Sequence, residues 1–319
     1  MGPPGSVRQF SSAANVIVLL SRAVSAGRFD AILVGFFVVC SSALSLDCKG
    51  APSAVFTELT EARQLAADLR VQFNKASDAS DRAVMADTDE ASISFAREAD
   101  KATQVVQSEV EELGPHLRSL GNPSATGALD DFSKHLAEYL TLDRSVLGLA
   151  VENTNLKAQR LSFGPAREAA DGFRDALQTL ATAASPKDRC RVDGLVAKAV
   201  LAVRDIQVLQ APHIAEADDA AMTRMEGQMG GLEAAARDAL KALSGLVDSK
   251  ARAQVAPALV ALDKFKDVSS QIVALSRRNT NVRSLALSLR EKPMLTAACD
   301  DSLRTLEEAL KKEGFTATR

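Results

Sequence analysis

The sequence predicts an all-α protein, an elongated antiparallel up-down-up-down four-helix bundle built from two repeated helical hairpins. Three observations predict it. Apolar residues after position 50 recur at helical spacing, with almost no strand-like alternation. Aromatic residues make up 4% of the chain, with no Trp and one Tyr, which suits helices packed through Ala, Leu and Val. The triplet Asn-Thr-Asn occurs at 153–155 and at 279–281, and this separation of 126 residues is a whole number of heptads.

The N-terminal region differs from the rest of the chain and predicts export. Residues 1–30 form a tail, and residues 31–46 form a 16-residue apolar run that follows Arg22 and Arg28. A membrane span needs about 20 apolar residues and a signal-peptide core about 7–15, so the run is interpreted as a signal peptide or an uncleaved anchor. A buried core helix is the alternative. The expected location is periplasmic, or anchored in the inner membrane with the bundle, residues 51–314, outside the cytoplasm.

Breaker residues divide the bundle region into four predicted helices of about 60 residues, each about 90 Å long at the usual rise per residue. The breakers are Gly-Pro, Asn-Pro, Ser-Pro and Ser-Gly pairs. Short connections between such helices make neighbours antiparallel. The predicted ranges are 54–113, 126–184, 187–243 and 247–312.

An internal repeat relates the two predicted hairpins. The second and fourth helices share one heptad pattern across the 126-residue shift, whereas the first and third match more loosely, at a shift of 129 or 130. In an up-down-up-down bundle the second and fourth helices are diagonal and parallel. We therefore expect Asn153 and Asn279 in one layer of the core, paired to each other, to water or to His213.

Two interpretations of this polar layer stay open. A buried Asn at a core position fixes helix register, and replacing both by Leu is then expected to raise stability. Alternatively, the layer is a hydrated pocket for a small ligand, to which the first and third helices add polar residues at the same height. The candidate ligand-binding residues are Asn153, Asn279, His213, Glu216, Asp87 and Thr88.

Prolines inside the helical pattern predict bends. Pro212 should kink the third helix close to His213. Gly164–Pro165 and Pro293 should bend the second and fourth helices just beyond the repeated triplet. These bends are either tolerated kinks or hinges through which binding reaches the membrane end.

Composition argues against several functions. A net charge of −3 and few aromatic residues exclude nucleic acid as an expected partner. The sequence has no nucleophile elbow, no phosphate-binding glycine loop and no catalytic grouping of carboxylates or Cys and His, so neither an enzyme nor a cofactor is expected. Four cysteines without a C-x-x-C pair and three distant His residues predict no metal site, while a Cys48–Cys190 disulfide stays open.

The stretches LAVENTNLKAQRLSFGPAREAADGF and LSRRNTNVRSLALSL, after an N-terminal apolar segment, resemble the four-helix-bundle sensory domain of bacterial methyl-accepting chemotaxis proteins. The resemblance covers roughly residues 29–312. It implies an extracytoplasmic bundle, usually homodimeric, that binds small solutes and passes a piston-like shift through the membrane. Only EGFTATR follows Lys312, so we expect a chain without the family's second membrane segment and cytoplasmic methylated hairpin.

The predicted function is therefore an extracytoplasmic sensory or solute-binding bundle. Its expected partners are a small-molecule ligand, a second copy in a homodimer and, if the N-terminal segment is uncleaved, the membrane. A non-catalytic envelope scaffold or spacer is the alternative. A binding module is stabilised by its ligand, whereas a scaffold associates through exposed helix faces without a ligand response.

Overall fold

A computed structural model describes residues 51–247, 252–253 and 255–316. These residues contain helices and no strand, so the predicted all-α class is confirmed for this part of the chain. The predicted tail and apolar run lie outside the described residues. Among the helices that the structure does describe, none is both long and apolar enough to cross a membrane. The helices are α1 (Ala51–Met85), α2 (Asp89–Leu120), α3 (Pro123–Glu152), α4 (Thr154–Leu161), a π-helical segment (Ser162–Ala166), α5 (Arg167–Thr182), α6 (Arg189–Ala215), α7 (Asp219–Leu246), α8 (Val255–Arg278), α9 (Thr280–Arg290) and α10 (Lys292–Thr316).

Helices α1 and α2 form an antiparallel hairpin, so the prediction of one helix over 54–113 is wrong. Thr88 ends the reversal because its extended backbone and its hydroxyl, which accepts from the Ala91 amide at 3.1 Å, cap α2. Arg82 at the end of α1 lies 3.9 Å from Glu98 of α2, as an antiparallel pair requires.

Helices α6 and α7 form a second hairpin where one helix over 187–243 was predicted. Asp218 caps α7 by accepting a hydrogen bond from the Ala221 amide at 2.6 Å. Pro212 therefore does not kink a continuous helix, since it lies in the last turn of α6, which ends at Ala215. Both hairpins reverse at points 130 residues apart, which is the looser shift seen in the sequence.

The other two predicted helices, 126–184 and 247–312, correspond to two long interrupted helices that run antiparallel and side by side. The first comprises α3 to α5 and the second comprises α8 to α10. Glu152 bonds to Arg278 at 2.8 Å, and Glu168 lies 3.5 Å from Lys264, so residue numbers rise along one helix as they fall along the other. The predicted diagonal, parallel arrangement of these helices is therefore wrong.

Each hairpin packs on one end of the long-helix pair and encloses its own core. The first half consists of α1, α2, α3 and α10, and its core includes Phe73, Phe132 and Leu303. The second half consists of α5, α6, α7 and α8, and its core includes Phe173 and Leu240. The two halves meet where the Asn-Thr-Asn triplets interrupt the long helices.

Both long helices are also irregular at a second pair of equivalent points. Gly164 and Pro165 lie inside the π-helical segment, where proline removes a backbone donor from the helix ladder. The second long helix is interrupted at Glu291, just before Pro293. The prolines predicted to disturb these helices therefore stand at such irregularities.

The described cysteines are not paired with each other. Cys190 is exposed near the start of α6, and Cys299 is buried in the first half, where burial raises the pKa of its thiol to about 12. Cys48, the predicted partner of Cys190, lies outside the described residues.

Candidate functional site

The two Asn-Thr-Asn triplets meet in one buried layer between the two halves of the described bundle. Asn153 and Asn279 adopt the left-handed conformation, with φ of 50° and 52°, and each ends one helix and begins the next. Asn is one of the few residues that enter this region without a large steric penalty. Their exposed fractions are 1% and 6%. Asn153 and Asn279 therefore interrupt both long helices inside the core.

Each interruption frees backbone amides, and the side chains of the other copy accept from them. The Thr154 amide donates to Thr280 Oγ1 and the Thr280 amide donates to Thr154 Oγ1, both at 3.1 Å. The Asn155 and Asn281 amides donate to each other's side-chain oxygens, also at 3.1 Å. A new helix start leaves such donors without intrahelical partners. The triplet satisfies them reciprocally, which places a local two-fold axis between the two Thr residues.

The amide side chains close the same layer. Asn155 Nδ2 donates to Asn279 Oδ1, and Asn281 Nδ2 donates to Asn153 Oδ1, each at 2.8 Å. Asn153 and Asn279 thus share one layer but bond to the third residue of the opposite triplet. The expected pairing of these two residues with each other, or with His213, is not what the structure shows.

The two hairpin loops are attached to this layer differently. Asn279 Nδ2 donates to the Glu216 carbonyl at 2.7 Å, and Asn155 Nδ2 donates to the Ile214 carbonyl at 2.5 Å, so the second hairpin is tied to the layer. Asn153 Nδ2 is buried and has no hydrogen-bond partner among the described residues. The first hairpin loop therefore lacks the bond that its counterpart has.

His213 lies beside the layer at the end of α6, fully buried. Its Nε2 lies 2.9 Å from Glu226 Oε1, and its Nδ1 lies 2.7 Å from Ser276 Oγ. Arg277 holds Glu226 with bonds of 2.6 and 3.0 Å, and this pairing lowers the pKa of the Glu226 carboxyl. An ionised carboxylate only accepts, so His213 Nε2 donates to it. The cluster joins α6, α7 and α8 directly under the second hairpin loop.

The remaining candidate residues lie in the loops and not inside the layer. The Glu216 side chain folds back and accepts from the amides of Ala217 and Asp218, both at 2.9 Å. Asp87 and Thr88 are exposed at the reversal of the first hairpin. The structure brings Asn153, Asn279 and His213 to the centre, and only the backbone of Glu216 joins them.

A pocket of about 240 Å³ opens beside the layer, between α4, α6 and α9. Asn155 and Asn281 form its inner wall, and Gln159 adds a further amide. The rest of the lining is mainly apolar, and no charged side chain contributes to it. Its lining consists of Asn155, Leu156, Gln159, Ser162, Phe163, Ala211, Ile214, Ala215, Asn281 and Val282.

Two further depressions lie in the second half. A pocket of about 280 Å³ between α6, α7 and α8 has an apolar floor that includes Ile206 and Phe265, with Glu226 at its edge. A groove of about 660 Å³ follows the π-helical segment and is lined by Arg167, Arg174 and other residues. Ser162 and Phe163 border both this groove and the central pocket, so the π-helical segment separates them.

Sequence reasoning missed several members of the site. Thr154, Thr280 and the second Asn of each triplet were visible in the repeat, but their role depends on an antiparallel contact that was not predicted. Glu226 was missed because the predicted third helix ran through the reversal, and Arg277 was missed because its role depends on Glu226. The signal for that reversal was present, since Thr88 and Asp218 each precede acidic residues, the pattern of a helix start.

Comparison with known proteins found no relative of this chain. No protein-family model matches the chain, and no curated protein and no solved structure matches it. The likeness to chemoreceptor sensory domains therefore rests on the sequence pattern alone.

Proposed function

We propose that the protein is a sensory or solute-binding helical bundle of the kind found in chemoreceptor ligand-binding domains, with a four-helix bundle in each half. One observation carries the proposal: a pocket with polar and apolar walls opens against the layer where both long helices are interrupted. Ligand pockets combine apolar walls with a few fixed polar groups, and helical proteins place them between helices. A structural register mark requires the buried amides but not the pocket.

The lining selects the chemistry of the ligand. Uncharged walls favour an uncharged solute, because a charged one loses its hydration without gaining a counter-ion. Asn155 and Asn281 hold their orientation through the bonds of the layer, so they present fixed groups to a ligand. A volume of about 240 Å³ is just below the common range of about 300–1,000 Å³ for ligand pockets. A small neutral molecule with an amide, hydroxyl or carbonyl group fits these properties.

Binding at this point acts on both halves. The pocket is lined by both long helices and by the last turn of α6, next to the left-handed residues and the π-helical segment. A ligand that contacts these elements together favours one angle between the halves over others, which is the differential affinity that a conformational signal requires.

A thermal-shift screen of the full chain against uncharged amides, alcohols and heterocycles tests the proposal. A ligand that binds only the folded state raises the melting temperature. Ala211→Phe covers the pocket from the exposed side of α6 and is expected to abolish the shift. Ala197→Phe places the same group on an exposed position of α6 outside the pocket and should leave the shift intact. A shift that survives Ala211→Phe contradicts this site.

One observation favours the scaffold alternative. Leu201 and Val208 are 61% and 68% exposed, two turns apart on α6, which places two exposed apolar side chains on the outer face of that helix. A scaffold or homodimer that uses this face is disrupted by Leu201→Lys together with Val208→Lys, measured as molar mass by light scattering. Association that depends on these residues, with no ligand response in the screen, supports the scaffold.

Export through residues 31–46 belongs to the same proposal. Cell fractionation with an antibody to the bundle, combined with N-terminal sequencing of the purified native protein, distinguishes the cleaved from the anchored form. Intact protein found only in the cytosolic fraction contradicts both forms.

A further inference from the structure

A cluster of three metal-ligating side chains lies at the end of the first half, away from the central layer. Glu58 and Glu61 are one turn apart on α1, which places them on the same face of the helix. His116 reaches them from α2, with its Nδ1 2.7 Å from Glu58 Oε2 and 3.8 Å from Glu61 Oε2. One ligand atom from each residue lies within 4.8 Å of the others.

The electrostatics of the cluster favour a shared cation. The carboxylates of Glu58 and Glu61 both approach one imidazole, and a bound cation relieves the repulsion between them without requiring that imidazole to be protonated. Among the described residues, the ion pairs include no Lys or Arg partner for Glu58 or Glu61. The side chains are partly exposed, at 35% for Glu58, 54% for Glu61 and 23% for His116, so an ion enters from solvent without opening the core.

The repeat shows that the fold does not need this cluster. At the 130-residue shift, Asp188 and Arg191 stand in place of the two Glu residues, and Leu246 stands in place of His116. The second half therefore forms the corresponding helix ends with a basic residue in place of one Glu and an apolar residue in place of the His. The grouping of two carboxylates with an imidazole is particular to the first half.

We propose that Glu58, Glu61 and His116 bind a divalent transition-metal ion of the Zn²⁺ class. Ligand bonds of about 2.0–2.2 Å in a tetrahedral site put ligand atoms roughly 3.3–3.6 Å apart, and the two measured separations from His116 bracket this spacing. An imidazole with two carboxylates suits Zn²⁺ better than Mg²⁺ or Ca²⁺, which prefer oxygen ligands throughout. Three protein ligands leave the fourth position to water or to a further group.

Equilibrium dialysis of the untagged, chelator-treated full chain against ZnCl₂ tests this site, with melting temperature as a second readout. The wild type is expected to take up a single equivalent of Zn²⁺ and to melt at a higher temperature with it. His116→Ala abolishes both effects, and the control His135→Ala leaves both intact. Co²⁺ is expected to give the visible absorption of a tetrahedral complex.

Two results overturn the proposal: no uptake by the wild type, or equal uptake by the wild type and His116→Ala. Circular dichroism checks that His116→Ala keeps its helix content. If it does not fold, Glu61→Gln removes a ligand at the most exposed of the three positions, and it must then lower Zn²⁺ uptake. Stabilisation by Mg²⁺ equal to that by Zn²⁺ overturns the assignment to a transition metal.

Discussion

The two halves share one backbone plan but fill equivalent interior positions with different chemistry. In the first half, Lys292 is 2% exposed and its ammonium lies 3.4 Å from Asp143 and 2.9 Å from Asp81. The 126-residue shift maps Asp143 onto Ser269 and Lys292 onto Ala166. The second half thus has a neutral hydroxyl and a methyl group where the first half has a buried ion pair.

Next to the central layer, the polar residues lie in the second half and the apolar residues lie in the first half. The second half has His213 there, which contacts Ser276 and is joined to Arg277 through Glu226. The first half has small or apolar residues at all the equivalent positions. The repeat therefore fixes the helix breaks and the central layer but leaves the remaining interior free to diverge. The first-half residues equivalent to His213, Glu226, Ser276 and Arg277 are Ala83, Ala96, Ala150 and Val151.

The largest expected effect comes from breaking the ion pair of the first half. Lys292→Ala leaves Asp143 buried without its cation, and the free energy of unfolding should fall by about 3–5 kcal/mol. Adding Asp143→Ser reproduces the second half at both positions and should recover most of that loss, because no buried charge stays unpaired. Urea denaturation of the three proteins measures both changes. A double variant no more stable than Lys292→Ala would show that the difference between the halves is not electrostatic.

Substitutions in the central layer should give the next largest loss of stability, and the loss should be greater at Asn279 than at Asn153. Asn279→Leu combines a left-handed strain of about 1–2 kcal/mol with two lost side-chain bonds of about 1 kcal/mol each. Asn153→Leu loses one such bond, so its cost should be smaller by about 1 kcal/mol. Gly at either position is the control, because it adopts the backbone without strain. The register interpretation predicts stabilisation when both Asn residues are replaced by Leu, and an increase in the denaturation midpoint of that double variant would support it.

A glycine in α7 marks a smaller difference between the halves. Gly230 is exposed inside the helix, where the first half has Asp100, and a Cβ added there meets no atom within 4 Å. Gly230→Ala should therefore raise the free energy of unfolding by about 0.8–1.0 kcal/mol through helix propensity. Urea denaturation measures the change, and an unchanged or lowered stability would contradict the explanation from helix propensity.

The smallest effect concerns pH, and the two halves should respond with opposite sign. The pKa of Glu226 is lowered by its bond to Arg277, so its stabilising contribution is lost as pH falls below the ordinary Glu value. The pKa of Asp143 is raised by burial, despite the opposing effect of Lys292, so its contribution falls as pH rises above the ordinary Asp value. Between about pH 6 and about pH 3, Glu226→Gln should flatten the acid loss of stability and Asp143→Ser should steepen it. Changes of the same sign in both variants would contradict this assignment.

The sequence was most informative where geometry is periodic. A separation of whole heptads predicted that Asn153 and Asn279 both face the core, and the structure buries both. They share one layer because the two long helices contact each other antiparallel at this point, not through the predicted parallel arrangement. Periodicity does not report where a helix reverses, because α1 and α2 have the same helical spacing of apolar residues on either side of residues 86–88. Thr88 gave the local signal for a helix start, yet it was interpreted as part of the layer. The reciprocal bonds of Thr154 and Thr280 depend on the antiparallel contact of the two long helices, which no spacing rule predicted.

The order in which the chain is made has a consequence for the first half. Its core is closed by α10, and Arg63 donates to the Leu310 carbonyl at 2.8 Å across a separation of 247 residues. At about 5–20 residues per second, a ribosome needs roughly 12–50 seconds to cover that distance. The finished first hairpin and α3 therefore wait with an uncovered apolar face while the second repeat is synthesised. We expect the α10 segment of a neighbouring copy to compete for the same face during that interval, which predicts exchange of this helix between chains translated close together.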